Sequence, residues 1–283
     1  MVTQANAKLN LTLDVLSKRM DGYHDMRMIM QSIDLMDNLS LEKSAGQGLR
    51  VKTNLHFLPN NEKNLAAQAA LQYWAARGEK PHDLTITIEK NIPVCAGMAG
   101  GSSDAAAVLR ALNKMDGYPF ALHELAQVGE KVGSDVPYCV MGNTALAEGR
   151  GEVLTTLPAL PKCWVVVCKP DFSISTPALF ACIDSIRLRR HPDTKGAIAA
   201  LEAGDLIGVA RRMYNVFEEA LPQRQVARIY DLKNVLIQHG ALGASMSGTG
   251  PTVFGLFEDR SRAQGAYEQL KECCKETFLS QTV

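Results

Sequence analysis

A glycine-rich segment that leaves a strand and enters a helix constrains this chain more than any other feature. Leu84, Ile86 and Ile88 alternate with other residues as they do in a half-buried strand. The chain then reads Pro93-Val94-Cys95-Ala96-Gly97-Met98-Ala99-Gly100-Gly101-Ser102-Ser103-Asp104, and beyond it Ala105, Val108, Leu109 and Leu112 fall at helical spacing. Glycines let backbone amides turn inward around an anion without Cβ clashes. A helix starting near Asp104 adds its unpaired N–H groups and the positive end of its dipole. Ser102 and Ser103 can offer hydroxyls to a phosphate or to a water on Mg²⁺. The same residues also suit a capped turn between strand and helix. No Gly-Lys-Ser/Thr ends the segment, so it is not a Walker A loop, and its glycine spacing fails the dinucleotide fingerprint.

The rest of the chain reads as alternating strands and helices. Ala7, Leu9, Leu11, Leu13 and Val15 alternate with Lys8, Asn10, Thr12 and Asp14, which predicts a strand whose polar face carries Lys8 and Asn10 together. Short strands are expected around Met26 to Ser32, Leu39 to Glu42 and Leu49 to Thr53. Helices are expected over Glu62 to Arg77 and Leu122 to Val132, each followed by a glycine. The stretch Thr155 to Lys162 carries two prolines and reads as an interdomain link. It divides the chain into residues 1–156 and 157–283. Beyond it are expected a buried strand (Trp164 to Cys168), several helices including Ile229 to Gly240, a glycine loop over 243 to 250, a strand through Val253 to Phe257 and a helix from Ser261 to Lys275. The pattern predicts an α+β protein of two layered domains.

Composition narrows the function classes. Among 283 residues, 30 Lys and Arg balance 30 Asp and Glu with no like-charged block, which argues against a general nucleic-acid or membrane-surface binder. An anionic ligand must then be met locally. The longest apolar runs, Cys163 to Cys168 among them, have six residues against the ~20 that span a bilayer. The N-terminus resembles neither a signal peptide nor a transit segment, so a cytoplasmic location is expected. The seven cysteines form no CxxC pair and suit reduced, mostly buried thiols.

Several residues outside the first loop admit both a structural and a chemical role. Gly243-Ala244-Ser245-Met246-Ser247-Gly248-Thr249-Gly250-Pro251 could be a connector or a second wall for a ligand. Asp135, between Gly133-Ser134 and Val136-Pro137, lies on what reads as a short, constrained loop and could be a turn residue or cap, or a general base that accepts a hydroxyl proton. Lys8 could be solvated or could face a site with Asn10. Asp21-Gly22-Tyr23-His24 could be a surface hairpin or a ligand contact.

Taken in order, Ala7-Lys8-Leu9-Asn10, Asp21-Gly22-Tyr23-His24, Pro93 to Ala106, Gly133-Ser134-Asp135-Val136-Pro137 and Ser247-Gly248-Thr249-Gly250-Pro251 resemble the successive motifs of the GHMP family of small-molecule kinases. The likeness spans nearly the whole chain. It implies a first domain like the second domain of ribosomal protein S5, a ferredoxin-like second domain, and substrates bound between them. It implies ATP with Mg²⁺: phosphates on Pro93 and on Ala96, Gly97, Met98, Ala99, Gly100, Gly101, Ser102 and Ser103, and the base near Asn64 and Lys90. Asp135 would be the base and Lys8 its electrostatic partner. The Ala-Lys-Leu-Asn and Asp-Gly-Tyr-His motifs together imply a cytidine diphosphate ester of methylerythritol as substrate, phosphorylated on its 2-hydroxyl in non-mevalonate isoprenoid biosynthesis. Tyr23 and Phe180 would sandwich the cytosine, His24 would read its edge, and Asn10, Thr176 and Gly248 would help to hold the substrate. No metal ligand is implied beyond Ser102 or Ser103 through water, and no partner beyond a monomer or weak homodimer. Cys95 and Met98 stand where the family pattern expects Met and Leu, which keeps both positions nonpolar. Other members of the family, a non-catalytic nucleotide sensor and an RNA-binding role share parts of the pattern. None of them accounts for Lys8, Asp135 and the aromatic residues at once.

Overall fold

The computed structural model describes residues 1–283. The elements in chain order are β1 (Val2–Lys18), β2 (His24–Lys43), β3 (Leu49–Thr53), α1 (Leu65–Ala76), β4 (Leu84–Glu89), α2 (Gly100–Met115), α3 (Leu122–Glu130), α4 (Val136–Met141), β5 (Thr144–Gly149) and β6 (Val153–Thr156). There follow β7 (Trp164–Lys169), α5 (Thr176–Ser185), α6 (Thr194–Glu202), α7 (Leu206–Ala210), β8 (Tyr214–Asn215), α8 (Gln223–Gln238), β9 (Gly243–Met246), β10 (Val253–Phe257), α9 (Arg260–Cys273) and β11 (Glu276–Gln281). No helix is long and apolar enough to cross a membrane.

The chain forms two compact units that interleave along the sequence. One comprises 1–7, 35–94 and 99–142, and the other 8–34, 95–98 and 143–283. In the first unit, β4 pairs antiparallel with the latter half of β2, from Asn38↔Glu89 to Lys43↔Leu84, and β3 pairs parallel with β4. The parallel pair needs a crossover, and α1 supplies it. Small residues let α1 and α2 pack closely: Ala66, Ala67, Ala69 and Ala70 on α1, and Ala105, Ala106, Ala107 and Ala111 on α2, are all buried.

In the second unit, β5 pairs antiparallel with the first half of β2, from Met26↔Gly149 to Gln31↔Thr144, and β6 pairs with β5. A separate four-stranded sheet has the order β11-β7-β10-β9. Helix α8 lies in sequence between β7 and β9, and α9 between β10 and β11, so this sheet has the βαββαβ order of a ferredoxin-like fold. Asp193, Asp205 and Asp259 cap α6, α7 and α9 by accepting from backbone N–H groups in their first turns.

Three expectations about elements need correction. The segments Met26 to Ser32 and Leu39 to Glu42 are parts of one strand, β2. The intervening acids would ordinarily break it, but they have partners: Asp34 accepts from the N–H of Gln281 at 2.7 Å, and Asp37 accepts from the N–H of Asn91 at 2.6 Å. Helix α2 starts at Gly100 rather than near Asp104, because its two glycines lie against Ile92 and Leu65, where a Cβ would be crowded at 3.1 Å in each case. The start of the second glycine loop, Gly243–Met246, is strand β9 paired with β10.

The ferredoxin-like core supplies a direct stability test. Every residue of β10 is buried, and Phe254 is completely so. Phe254→Ala is expected to destabilise the protein by about 4 kcal/mol in urea unfolding through lost transfer energy and a residual cavity. Phe57→Ala, at a side chain that is 72% exposed, should stay within about 0.5 kcal/mol of wild type.

Candidate active site

In the first unit, α2 begins at Ala99, whose backbone is left-handed (φ 57°, ψ 28°) and whose side chain cannot cap the helix. The leading amides of α2 thus keep their capacity for an anion. Ser103 is buried and its hydroxyl donates to the carbonyl of Asn6 at 2.7 Å, so the half-buried Ser102 carries the more available hydroxyl. Asn64 caps α1: its Oδ1 accepts from the N–H of Ala66 at 2.9 Å and its Nδ2 donates to the carbonyl of Pro59 at 2.8 Å. Asp135 is half-buried and takes the N-cap position of α4, with Pro137 in the first turn. The segment read as a constrained loop is therefore a helix start.

Lys90 is buried rather than reaching for solvent. Its ammonium donates to Asp37 and, at 2.6 Å, to Asp104. Burial, reinforced by the neighbouring Asp37 charge and opposed by Lys90, pushes the Asp104 carboxyl up to about 8. Its second oxygen, Oδ1, is buried without a hydrogen-bond partner.

In the second unit, β1 is buried on both faces. Lys8 is 4% exposed, and its Nζ donates to Oδ1 of Asn10 at 2.7 Å, so the two residues read from period 2 as one face do meet. The N–H of Lys8 donates to the carbonyl of Met98 at 3.1 Å. Gly97 and the second glycine segment touch backbone to backbone. The Ser247 hydroxyl donates to the carbonyl of Gly97 at 2.9 Å, and a Cβ on Gly97 (φ +75°) would stand 2.1 Å from the carbonyl oxygen of Ser247. A Cβ on Gly248 would stand 2.7 Å from the Gly97 oxygen. Asn215, fully buried, holds this segment by donating to the carbonyls of Met246 at 2.8 Å and Gly248 at 2.7 Å. Nothing local in the sequence marks Asn215 for that role.

Also within this unit, His24 stacks on Phe180 with ring centroids 4.7 Å apart and an interplanar angle of 24°. Phe217 meets Phe180 edge-on at 5.0 Å. Nε2 of His24 lies 2.7 Å from Asp184 Oδ1, and Lys18 donates to the other oxygen at 2.5 Å. Those two hydrogen bonds, His24 first, hold the Asp184 carboxyl below the usual carboxylate range. Asp184 escaped the sequence reading, although it lies one helical turn beyond Phe180 on α5. Tyr23 is 55% exposed, and the Arg150 guanidinium stands over its ring at 5.3 Å. The Thr176 hydroxyl is 3.0 Å from that of Thr249.

Residues 64–143 match the family described as GHMP kinases N terminal domain, and residues 197–276 that described as GHMP kinases C terminal. A 4-diphosphocytidyl-2-C-methyl-D-erythritol kinase of Alkaliphilus metalliredigens is 43% identical over 279 residues, covering 99% of this chain and 95% of its own length. The chain belongs to the GHMP kinase family. A solved 4-(cytidine 5'-diphospho)-2C-methyl-D-erythritol kinase superimposes on this GHMP kinase with a TM-score of 0.82 at 30% identity, covering 100% of this chain and 99% of its own. A homoserine kinase from Cytophaga hutchinsonii superimposes with a TM-score of 0.73 at 19% identity, covering 100% and 94%, a likeness of fold alone. The protein is a small-molecule kinase with the two-domain GHMP fold.

The lowered Asp184 carboxyl has a pH signature. A group whose folded pKa is depressed contributes stability above its unfolded value, ~4 for Asp, and loses it as pH falls through the folded value. Asp184→Asn is therefore expected to lower Tm relative to wild type at pH 6, with the gap closing toward pH 3. A gap unchanged across that range would show that the carboxylate charge contributes nothing to the pairing with His24 and Lys18.

Proposed function

We propose that this GHMP kinase transfers the γ-phosphoryl group of ATP to the 2-hydroxyl of 4-diphosphocytidyl-2-C-methyl-D-erythritol, a step of isoprenoid precursor biosynthesis. The observation that carries the choice of substrate is the stacked His24–Phe180 pair held by Asp184. An acceptor without a base, such as homoserine, has no use for it. The relative at 43% identity supports the same reading.

The residues present fit a nucleotide phosphate. The uncapped start of α2 offers amides, and Ser102 offers a hydroxyl. No three His, Cys, Asp or Glu side chains gather as a metal site. Mg²⁺ fits such a site when carried mainly by phosphate oxygens and water, its common mode in kinases, and when bound it neutralises phosphate charge. Pro93, Ala96 through Ser103 and the segments carrying Asn64 and Lys90 form the nucleotide side of this reading. Asn64 and Lys90 act through their backbone surroundings, since both side chains are engaged within the protein.

Asp135 accepts the proton of the substrate hydroxyl, and Lys8 favours the alkoxide as it develops. The hydrogen bond to Asn10 fixes the Lys8 ammonium, so little reorganisation accompanies the reaction. Tyr23 and Phe180 hold the cytosine, and Thr176, Asn10 and Gly248 line the rest of the substrate. With Asp184 accepting from Nε2 of His24, the tautomer that this bond selects presents Nδ1 as an acceptor. That matches the amino donor of cytosine and mismatches the O4 acceptor of uracil.

Asp135→Asn is expected to keep the fold and nucleotide affinity while lowering kcat by ~10² to 10⁴, the usual worth of a positioned base. Retention of more than about a third of wild-type kcat would remove Asp135 from the role. Phe180→Ala should lower kcat/KM for the cytidine-linked substrate by roughly tenfold or more, the worth of one stacked ring, with KM for ATP nearly unchanged. Wild type should turn over a uridine-linked analogue poorly. Equal rates with the two bases would sink the role given to His24, and equal rates with a baseless alcohol would sink the choice of substrate.

A further inference from the structure

Beneath the first turn of α2 lies an ionic cluster that the chemistry above does not use. Lys90, Asp37 and Asp104 are 8%, 0% and 4% exposed, and they come from three separate places in the chain: the residue after β4, the middle of β2 and the second turn of α2. The Lys90 ammonium donates to both carboxylates. Its backbone is held as well, because Asn54 accepts from the Lys90 N–H at 2.8 Å and donates to the Lys90 carbonyl at 3.2 Å. Asp37 in turn accepts from the N–H groups of Asn91 at 2.6 Å and Ile92 at 2.8 Å. The ammonium reaches the glycine turn itself: a Cβ on Gly100 would stand 3.3 Å from Lys90 Nζ and 3.1 Å from Ile92 Cγ2.

A buried ion cluster is weak evidence for stability, since well-packed hydrocarbon usually serves as well or better. What hydrogen-bonded polar groups supply and hydrocarbon does not is direction: each N–H of the ammonium has to point at an acceptor oxygen, and two acceptors on different elements narrow where the ammonium can sit. Here that geometry ties the helix start to the strand end that precedes it.

We infer that Lys90, with Asp37 and Asp104, is a positioning element for the ATP phosphates: the lysine fixes the first turn of α2 so that its free amides face the anion in one register. This rests on the reading that the nucleotide phosphates bind at the start of α2. It differs from a contact between the Lys90 side chain and the adenine base, because the ammonium is spent on two buried carboxylates. Asp104 is the residue through which Lys90 holds the helix, so it too is a positioning residue.

The distinguishing experiment compares ligands with and without phosphates. Asp104→Ala leaves the lysine paired with Asp37 and places a strong helix former in α2, so the fold is retained. In titration calorimetry it is expected to bind a non-hydrolysable ATP analogue at least tenfold more weakly than wild type. Displacement of a fluorescent nucleotide by adenosine should be unchanged within about twofold. In turnover, KM for ATP should rise while KM for the cytidine-linked substrate stays put. Asp104→Asn, which keeps an acceptor for Lys90, should recover most of the affinity. Lys90→Met should show a larger loss of the same kind if it folds.

Equal weakening of adenosine and the ATP analogue would overturn the inference in favour of a base contact. A lowered Tm with unchanged ATP affinity in Asp104→Ala would overturn it in favour of a purely structural role. Because the affinity measurements need no acceptor, they stand apart from the substrate reading. A wild type that binds ATP but does not phosphorylate the cytidine-linked alcohol would overturn that reading alone.

Discussion

An anion cradle built from backbone amides can work only if the helix that offers them starts without a cap of its own. Most helices satisfy their leading N–H groups with a Ser, Thr, Asp or Asn side chain, as α6, α7 and α9 do here. Helix α2 enters instead through a left-handed alanine with no side-chain acceptor. Leaving those donors open costs stability, and the surrounding chain holds the helix start in place with the Ser103 bond to Asn6, the Lys90 bond to Asp104 and close packing at Gly100 and Gly101. The nearby glycines have a second function at Gly97, where the approach of Ser247 and Gly248 leaves no volume for a side chain.

The same economy governs β1. From Ala7 to Val15 its hydrophobic residues are buried, and so are Lys8, Asn10, Thr12 and Asp14 on the alternate face. Burying such groups is unfavourable unless each finds a partner. Lys8 bonds Asn10, Thr12 accepts from the N–H of Ile29 at 3.2 Å, and Asp14 pairs with His191 at 2.8 Å. A strand that carries polar residues on a buried face is poor design for stability alone. The His24–Asp184 pair follows the same logic, with a buried imidazole nitrogen 2.7 Å from a carboxylate oxygen.

Elements with a clean period were legible in the sequence. The strands at Trp164 and Val253, the helix after the first glycine loop and the shared face of Lys8 and Asn10 follow from spacing. The readings that failed did so where distant residues override local preference. Strand β2 runs unbroken through Asp34 and Asp37 because Gln281, Asn91 and Lys90 satisfy those carboxylates. Helix α2 takes two glycines at its start, where Ile92 and Leu65 leave little room for a Cβ. Asn215, Asp184 and the cluster around Lys90 were not legible, since a residue whose function is to hold another leaves no pattern in its own neighbourhood.

Residue order therefore set the motifs on which the kinase reading rests: a glycine-rich segment followed by a helix, a lysine beside an asparagine on one strand face, an acid after Gly-Ser, and an aromatic next to an imidazole. These are local facts, set by covalent spacing and by the conformations glycine permits. Which oxygen faces which proton was decided by contacts between residues far apart in the chain. Asp184 reaches His24 across 160 positions and Ser247 reaches Gly97 across 150. Hydrogen bonds and ion pairs depend on distances of a few tenths of an ångström, and only the packed core fixes positions that finely.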